Sequence, residues 1–144
     1  AVCSSTNFDL VKDLGADLVI DYTKQDFTKT KIKYDVIFET VGKSSFSKNI
    51  SALNKSGFLL MASANISTML RGAITSIFSS KTIKTGVIKE TIADLNYFTT
   101  IIEKNKFKPV IDKVYPLNEF KAAHTHVDIG HKKGNVILSV QYFD

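Results

Sequence analysis

The sequence has little cysteine or proline and no tryptophan, and these shortages exclude several classes of protein. Cys3 is the lone cysteine among 144 residues, so the chain is not a scaffold held by internal disulfides. Two prolines and seven glycines exclude collagen, and a hydrophobic content of 44% excludes wholesale disorder. No run approaches about 18 uninterrupted apolar residues, so we expect no membrane span. With one cysteine and no charged-then-apolar leader at its start, we expect a cytoplasmic protein.

The basic charge of the chain is dispersed. Lysine and arginine number 19 against 14 acidic residues, which gives a formal net charge of +5. The longest basic run is Lys132 and Lys133, and Arg71 is the lone arginine. Scattered charge is typical of a solvated surface, and a chain with one guanidinium has few groups of the kind that recognise bases. We therefore expect no nucleic-acid partner and no membrane partner.

Apolar runs that are typical of buried strands alternate with helical patterns. The runs cover residues 17–21, 34–38, 57–62 and 83–88, and residues 1–3 look like the end of a further strand. Such strands, when helices separate them, predict an α/β fold with a parallel sheet covered on both faces.

Local signals predict where the helices begin and end. Residues 4–7, with the sequence SSTN, predict the start of a first helix that ends at Gly15. Ser67 and Asn118 predict the N-caps of two later helices. The clearest helical pattern covers residues 91–105.

The character of the chain changes after residue 107. Residues 108–115 form a predicted extended segment that begins beside a proline. A predicted helix over residues 119–129 ends at Gly130, and a strand over residues 134–140 closes the chain.

Several stretches, taken in order, resemble one enzyme family. They are LGAD at 14–17, VIDY at 19–22, YDVIFETVG at 34–42, KPVIDKVYPL at 108–117 and GHKKGNVIL at 130–138. This ordered set resembles the quinone-oxidoreductase-like branch of the medium-chain dehydrogenase/reductase superfamily, whose members are zinc-type alcohol dehydrogenase-like. The likeness extends over nearly the whole chain.

The resemblance implies a Rossmann-like, doubly wound parallel sheet that lacks its first strand. Whole enzymes of the family carry an N-terminal catalytic domain and a glycine-rich phosphate loop, and neither pattern occurs here. The first strand is central in such a sheet, so we expect its absence to leave a gap between the strand at Cys3 and the strand at Phe38. Either another segment fills this place, or the chain is only part of what folds. Residues 1–107 would form a partial dinucleotide-binding domain. Residues 108–144 would be a C-terminal segment that packs with the absent catalytic domain.

The resemblance also implies NADP(H) as the cofactor, bound at the carboxyl ends of the strands. Ser4, Ser5 and Thr6 follow a strand there and offer hydroxyls in place of the carboxylate that an NAD enzyme uses. The alternative is that these residues cap a helix. Tyr22 matches a family tyrosine beside the phosphate of the adenosine ribose, or it covers a strand end.

Five further candidate residues follow later strands. Val41 and Gly42 come after one strand, where a glycine lets backbone approach a ribose or makes a plain turn. Ser63 follows the next strand. Gly86 and Val87 would present backbone groups to the nicotinamide carboxamide, or they mark a bulge.

Lys133 and the histidines complete the candidates. Lys133 would place a cation near the cofactor phosphates, or it belongs to a solvated run. On a helix, His124 and His126 would point about 200° apart, and no cysteine or carboxylate set completes a tetrahedral site. We therefore predict no metal site, and we assign no catalytic residue because no nucleophile–base pair stands out.

These features predict the C-terminal part of an NADP(H)-dependent oxidoreductase. The intact enzyme would transfer a hydride to a quinone, an enone or a similar carbonyl compound, with the cofactor carrying the chemistry. This chain alone would be inactive. The alternative is a non-catalytic nucleotide-binding or dimerisation module with the same fold.

The strand over residues 83–88 would lie at the edge of the sheet. An unpaired edge is a template for another strand, and the resemblance implies a homodimer joined by these edges across a two-fold axis. Lys81, Lys84 and Lys89 stand in or beside the strand and favour the alternative of a charged free edge.

Overall fold

Two units make up the computed structural model, which describes residues 1–85 and 91–140. Their bounds are Ala1–Lys89 and Glu90–Asp144. Each unit has parallel strands of its own. The functional boundary predicted at residues 107 and 108 concerns packing with a catalytic domain, and it stays a prediction.

The first unit follows the predicted alternation of strand and helix. Its described strands are β1 (Val2–Cys3), β2 (Ile20–Asp21), β3 (Tyr34–Glu39), β4 (Leu53–Met61) and β5 (Thr82–Thr85). Its α-helices are α1 (Phe8–Asp13), α2 (Phe46–Ala52) and α3 (Ile66–Phe78), with 3₁₀ turns at Ser5–Asn7 and Phe27–Lys29. The strand predicted over residues 17–21 is wrong in length, because β1 offers only two residues for β2 to pair with.

The strands of this unit form two parallel sheets. β1 pairs with β2, and β4 lies between β3 and β5 in the second sheet. Within residues 1–85 no ladder joins the first sheet to the second. The α/β class with parallel strands is therefore confirmed.

The core of the first unit lies under the three-stranded sheet. Its buried residues are Ile37, Ala52, Leu53, Leu59 and Met61. The strand residues share one face of the sheet because the side chains of neighbouring strands in register point the same way, as those of Ile37 and Leu59 do. Ala52 joins the cluster from α2. Leu59 has no exposed surface, and burying a side chain of this size contributes about 1.5–3 kcal/mol.

Helix α3 approaches β5 closely because Gly72 has no side chain. A Cβ atom at Gly72 would lie 2.9 Å from Cγ2 of Ile83, which is closer than such atoms pack. The glycine therefore sets the distance between helix and strand, at the expense of helix propensity.

The second unit contains two helices and one pair of strands among its described residues. They are α4 (Ile92–Glu103), β6 (Ile111–Pro116), α5 (Phe120–Asp128) and β7 (Asn135–Ser139). β6 and β7 pair in parallel. Thr91 and Asp94 cap α4 reciprocally, since each side chain accepts the backbone N–H of the other residue. The helix predicted over residues 91–105 is therefore confirmed.

The glycine predicted the C-terminal end of a helix more accurately than the predicted N-cap residue located the start of one. Gly15, at φ +98°, donates to Lys12, and the next amide donates to Val11, so the predicted end of α1 is confirmed. The cap predicted at Ser67 is wrong, because Asn65, two residues earlier, accepts the N–H of Thr68 and α3 begins at Ile66.

The cap predicted at Asn118 is also wrong. Asn118 lies inside the 3₁₀ turn Leu117–Glu119, and the cap position of α5 makes no side-chain hydrogen bond. The helix start predicted over residues 4–7 is confirmed in position, since Ser4 and Asn7 hold the N-cap positions, although neither side chain makes a capping hydrogen bond. Separately, no helix among the described residues has the length and apolar character needed to cross a bilayer.

Candidate functional site

The carboxyl ends of β1 and β2 bring two of the predicted site positions together. Tyr22 donates its backbone N–H to the carbonyl of Cys3 at 3.3 Å, which continues the parallel ladder and places Tyr22 beside Ser4. The Tyr22 side chain is 63% exposed. Oγ of Ser4 lies 2.8 Å from Oγ1 of Thr6. Ser5 and Thr6 are exposed, so this edge presents hydroxyl groups.

The carboxylate nearest this edge is turned inward. Asp21 is only 7% exposed, and its Oδ1 accepts the backbone N–H of Thr23 at 2.9 Å and the Thr23 hydroxyl at 2.6 Å. The hydroxyl first and the amide second hold the pKa of the Asp21 carboxyl below its ordinary value. Oδ2 lies 3.8 Å from the Lys24 ammonium. The Asp21 side chain is thus not exposed to accept a ribose hydroxyl.

A shallow depression of about 540 Å³ adjoins Tyr22. Two lysines, Lys24 and Lys29, line it together with polar side chains. Asp26 also lines it, but its Oδ2 is paired with the Lys48 ammonium at 2.9 Å. The Thr28 hydroxyl and then Lys48 lower the pKa of Asp26 to about 2. The chemistry of the depression suits an anion or a group rich in oxygen.

The end of β3 forms the second half of the candidate site. Glu39 is buried, and its carboxylate accepts the backbone N–H groups of Val41 and Gly42. Gly42 has φ +75°, and a Cβ atom there would lie 3.7 Å from the side chain of Ser63, which follows β4. Gly42 and Ser63 are therefore neighbours, while the Val41 side chain is exposed.

The role of Glu39 was not predicted from the sequence. A glutamate three residues before a glycine, at the end of an apolar strand, is the pattern that could have indicated it. The pattern is short, and only the turn of the loop shows that the carboxylate reaches both amides.

Three further predicted residues lie outside the described part of the first unit. Gly86 and Val87 lie outside the described residues. Lys133 belongs to the second unit, where its backbone N–H donates to Oδ2 of Asp112 at 3.1 Å. Its proposed role as a cation for the cofactor stays a prediction.

The second unit contains one histidine–carboxylate pair among its described residues. Nε2 of His126 lies 2.8 Å from Oδ2 of Asp112. This bond, and then the amide of Lys133, lower the pKa of the Asp112 carboxyl. In residues 1–85 and 91–140 no three His, Cys, Asp or Glu side chains are grouped so that they could hold a metal ion. The described donor set therefore does not fit a zinc ion.

Comparison with known proteins shows the family. Residues 14–138 match the family model described as zinc-binding dehydrogenase. The chain is 31% identical over 143 residues to the chloroplastic quinone-oxidoreductase QR1 of Triphysaria versicolor, covering 96% of the chain and 44% of that protein. It is 30% identical over 141 residues to the chloroplastic NADPH-dependent alkenal/one oxidoreductase of Arabidopsis thaliana, covering 96% and 32%.

Solved structures share the fold. The quinone oxidoreductase of Coxiella burnetii superposes with a TM-score of 0.77 at 23% identity, covering 97% of this chain and 44% of that one. An NAD-dependent alcohol dehydrogenase gives a TM-score of 0.76 at 24% identity, with 98% and 43% covered.

The parallel α/β fold and the similar proteins together define the class, which is a family of NAD(P)H oxidoreductases. The chain belongs to the zinc-binding dehydrogenase family. It spans less than half the length of the two relatives described above.

Proposed function

We propose that the chain is the C-terminal, cofactor-binding part of an NADP(H)-dependent oxidoreductase. The observation that supports this best is the edge formed by β1 and β2. Hydroxyls of Ser4 and Thr6 and the exposed Tyr22 ring lie there, while the Asp21 carboxylate is buried against Thr23. Without an exposed carboxylate, a 2′-phosphate is accepted where an NAD enzyme would reject it.

In this proposal the residues around the two strand ends bind and orient the cofactor. Ser4, Thr6 and Tyr22 contact the adenosine end, and the ammonium groups of Lys24 and Lys29 attract its phosphate. When bound, NADPH supplies a hydride to an electron-poor carbon of a quinone or enone, and a proton completes the reduction. Relatives named for quinone and alkenal/one reduction support this substrate class.

Binding of NADPH by this chain tests the cofactor assignment. We expect a dissociation constant of at least roughly hundreds of micromolar, about −5 kcal/mol or weaker, because no Gly-x-Gly-x-x-Gly loop occurs in the sequence to hold the pyrophosphate. NADH should bind more weakly still. Isothermal titration calorimetry with both cofactors measures this.

Two results of that titration would contradict this expectation. Micromolar binding would show that the pyrophosphate has another site in this chain. No binding of either cofactor at millimolar concentration would favour a dimerisation module without a nucleotide. Binding alone leaves the non-catalytic module open, and we expect no NADPH oxidation with a quinone by this chain alone.

We also propose that copies of the chain pair through β5. Among the described residues β5 has one neighbour, β4, so its other edge is unpaired. Successive N–H groups of a strand point to opposite sides, so one of Lys84 and Thr85 directs its N–H outward. Proline at the outward position removes a donor from the joined ladder.

Sedimentation of the wild type, Lys84→Pro and Thr85→Pro at tens of micromolar tests the pairing. We expect a wild-type dimer and a monomer for one of the two variants. A monomeric wild type, or a dimer that persists in both variants, would contradict edge pairing.

The cytoplasmic location that was expected from the sequence remains a proposal, and the two relatives named above are chloroplastic.

A further inference from the structure

The loop between β3 and α2, residues 40–45, is turned by a buried carboxylate. Oε1 of Glu39 accepts the N–H of Val41 at 3.1 Å and that of Gly42 at 2.7 Å, and Oε2 lies 2.8 Å from the same Gly42 nitrogen. Glu39 is only 8% exposed and lies on the core face of β3. Both N–H groups therefore point into the protein.

A second buried side chain holds the far end of the same loop. Asn49 in α2 has no exposed surface, and its Nδ2 donates to Oγ of Ser44 at 2.7 Å. The buried side chains of Glu39 and Asn49 therefore hold the two ends of the loop from the interior of the protein. Its orientation follows from these bonds and not from contact with a ligand.

The orientation decides which groups remain for a ligand. Outward-facing N–H groups at a glycine turn would form a cradle for an anion. In this loop they already bind a carboxylate, whose charge repels a second anion. Thr40, in the same loop, and Ser63, which adjoins Gly42, are both exposed, and neither hydroxyl has a hydrogen-bond partner within the described part of the chain.

We propose that Glu39 is the positioning residue of this loop and that, by holding both N–H groups inward, it makes the loop exclude phosphate. The ribose that Gly42 is expected to approach would then bind the hydroxyls of Thr40 and Ser63. The assignment of the ribose rests on the proposed function, because the ribose is that of the dinucleotide. The end of the β1–β2 pair and the end of β3 then bind different parts of the cofactor. Phosphate is bound beside Tyr22, and a ribose hydroxyl is bound beside Gly42.

Amide exchange and phosphate titration of the whole chain test the positioning role without any cofactor. In the wild type we expect slow exchange at Gly42 and no shift of its amide resonance with inorganic phosphate at tens of millimolar. Glu39→Gln keeps the shape but loses the charge, so protection of Gly42 should fall by about tenfold and phosphate should shift its resonance. Glu103→Gln removes an exposed charge of the same kind in α4 and should change neither.

Addition of NADPH tests the ribose assignment. We expect the Thr40 and Ser63 resonances to shift, with Gly42 remaining protected from exchange. Fast exchange at Gly42 in the wild type, a phosphate shift there, or unchanged protection in Glu39→Gln would overturn the role of Glu39. NADPH shifts at Tyr22 without any at Thr40 or Ser63 would overturn the ribose assignment alone. No NADPH shift anywhere would overturn the proposed function and, with it, the ribose assignment.

Discussion

The three-stranded sheet and the β1–β2 pair of the first unit differ in what their residues do. The sheet contains a cluster of buried apolar side chains centred on Leu59. The pair is two residues long on each strand, and Ile20 and Asp21 are its buried members. Exposed hydroxyl and ammonium groups gather at the carboxyl ends of the pair. Apolar packing is therefore concentrated in the three-stranded sheet, and the proposed phosphate contacts lie at the end of the pair.

Truncating one residue in each sheet measures this contrast. Leu59→Ala should lower the free energy of unfolding by about 2–5 kcal/mol, because it removes a fully buried side chain and leaves a cavity. Val2→Ala in β1 removes a half-exposed side chain and should change it by about 0.5 kcal/mol or less. Urea unfolding of the two variants and the wild type gives both values. Similar losses at the two sites would contradict the comparison.

A charge at the edge of the pair should change cofactor preference without changing stability. Thr6→Arg places a guanidinium beside the proposed 2′-phosphate, where a charge-assisted hydrogen bond contributes about 1.5–3 kcal/mol. We expect the ratio of NADH to NADPH dissociation constants to rise by about tenfold to a hundredfold. Thr99→Arg in α4 adds the same charge elsewhere and is the control. If the two variants give equal ratios, Ser4 to Thr6 do not contact the ribose.

The smallest expected effect is that of acid on Asp26, which joins the depression to α2 through Lys48. Its pKa lies at about 2 in the folded chain, below the ordinary 3.8. Its contribution to stability is therefore fully present above about pH 4 and is lost as the pH falls through about 2. Asp26→Asn should weaken the loss of stability between these pH values. Asp17→Asn, at an exposed position, is the control, and an equal pH dependence in the two variants would argue against this role.

Much of the fold was predictable because its signals are local. The apolar runs at residues 34–38 and 57–62 indicate strands, and Gly15 marks the end of a helix by its conformational freedom. Cap residues were less informative. Asn65 and Ser67 are both good N-caps, and only the turn that forms decides between them.

The site was predictable as a set of positions but not as an arrangement. Strand order places Ser4 beside Tyr22, although 17 residues separate them in the sequence. The bonds from Val41 and Gly42 to Glu39 depend on a positive φ that the sequence alone allows but does not require. Whether Asp21 faces a ligand or the interior likewise depends on the turn at Thr23.

Because Gly72 and Ile83 approach each other closely, the residue that is acceptable at one position depends on the residue at the other. An alanine at 72 would collide with the isoleucine methyl, so it is tolerated only where residue 83 has already become smaller. A smaller residue at 83, in turn, leaves a gap that an alanine at 72 would fill. Each substitution is harmful alone and the pair is acceptable, so the order in which mutations arise determines which sequences this fold reaches by single steps.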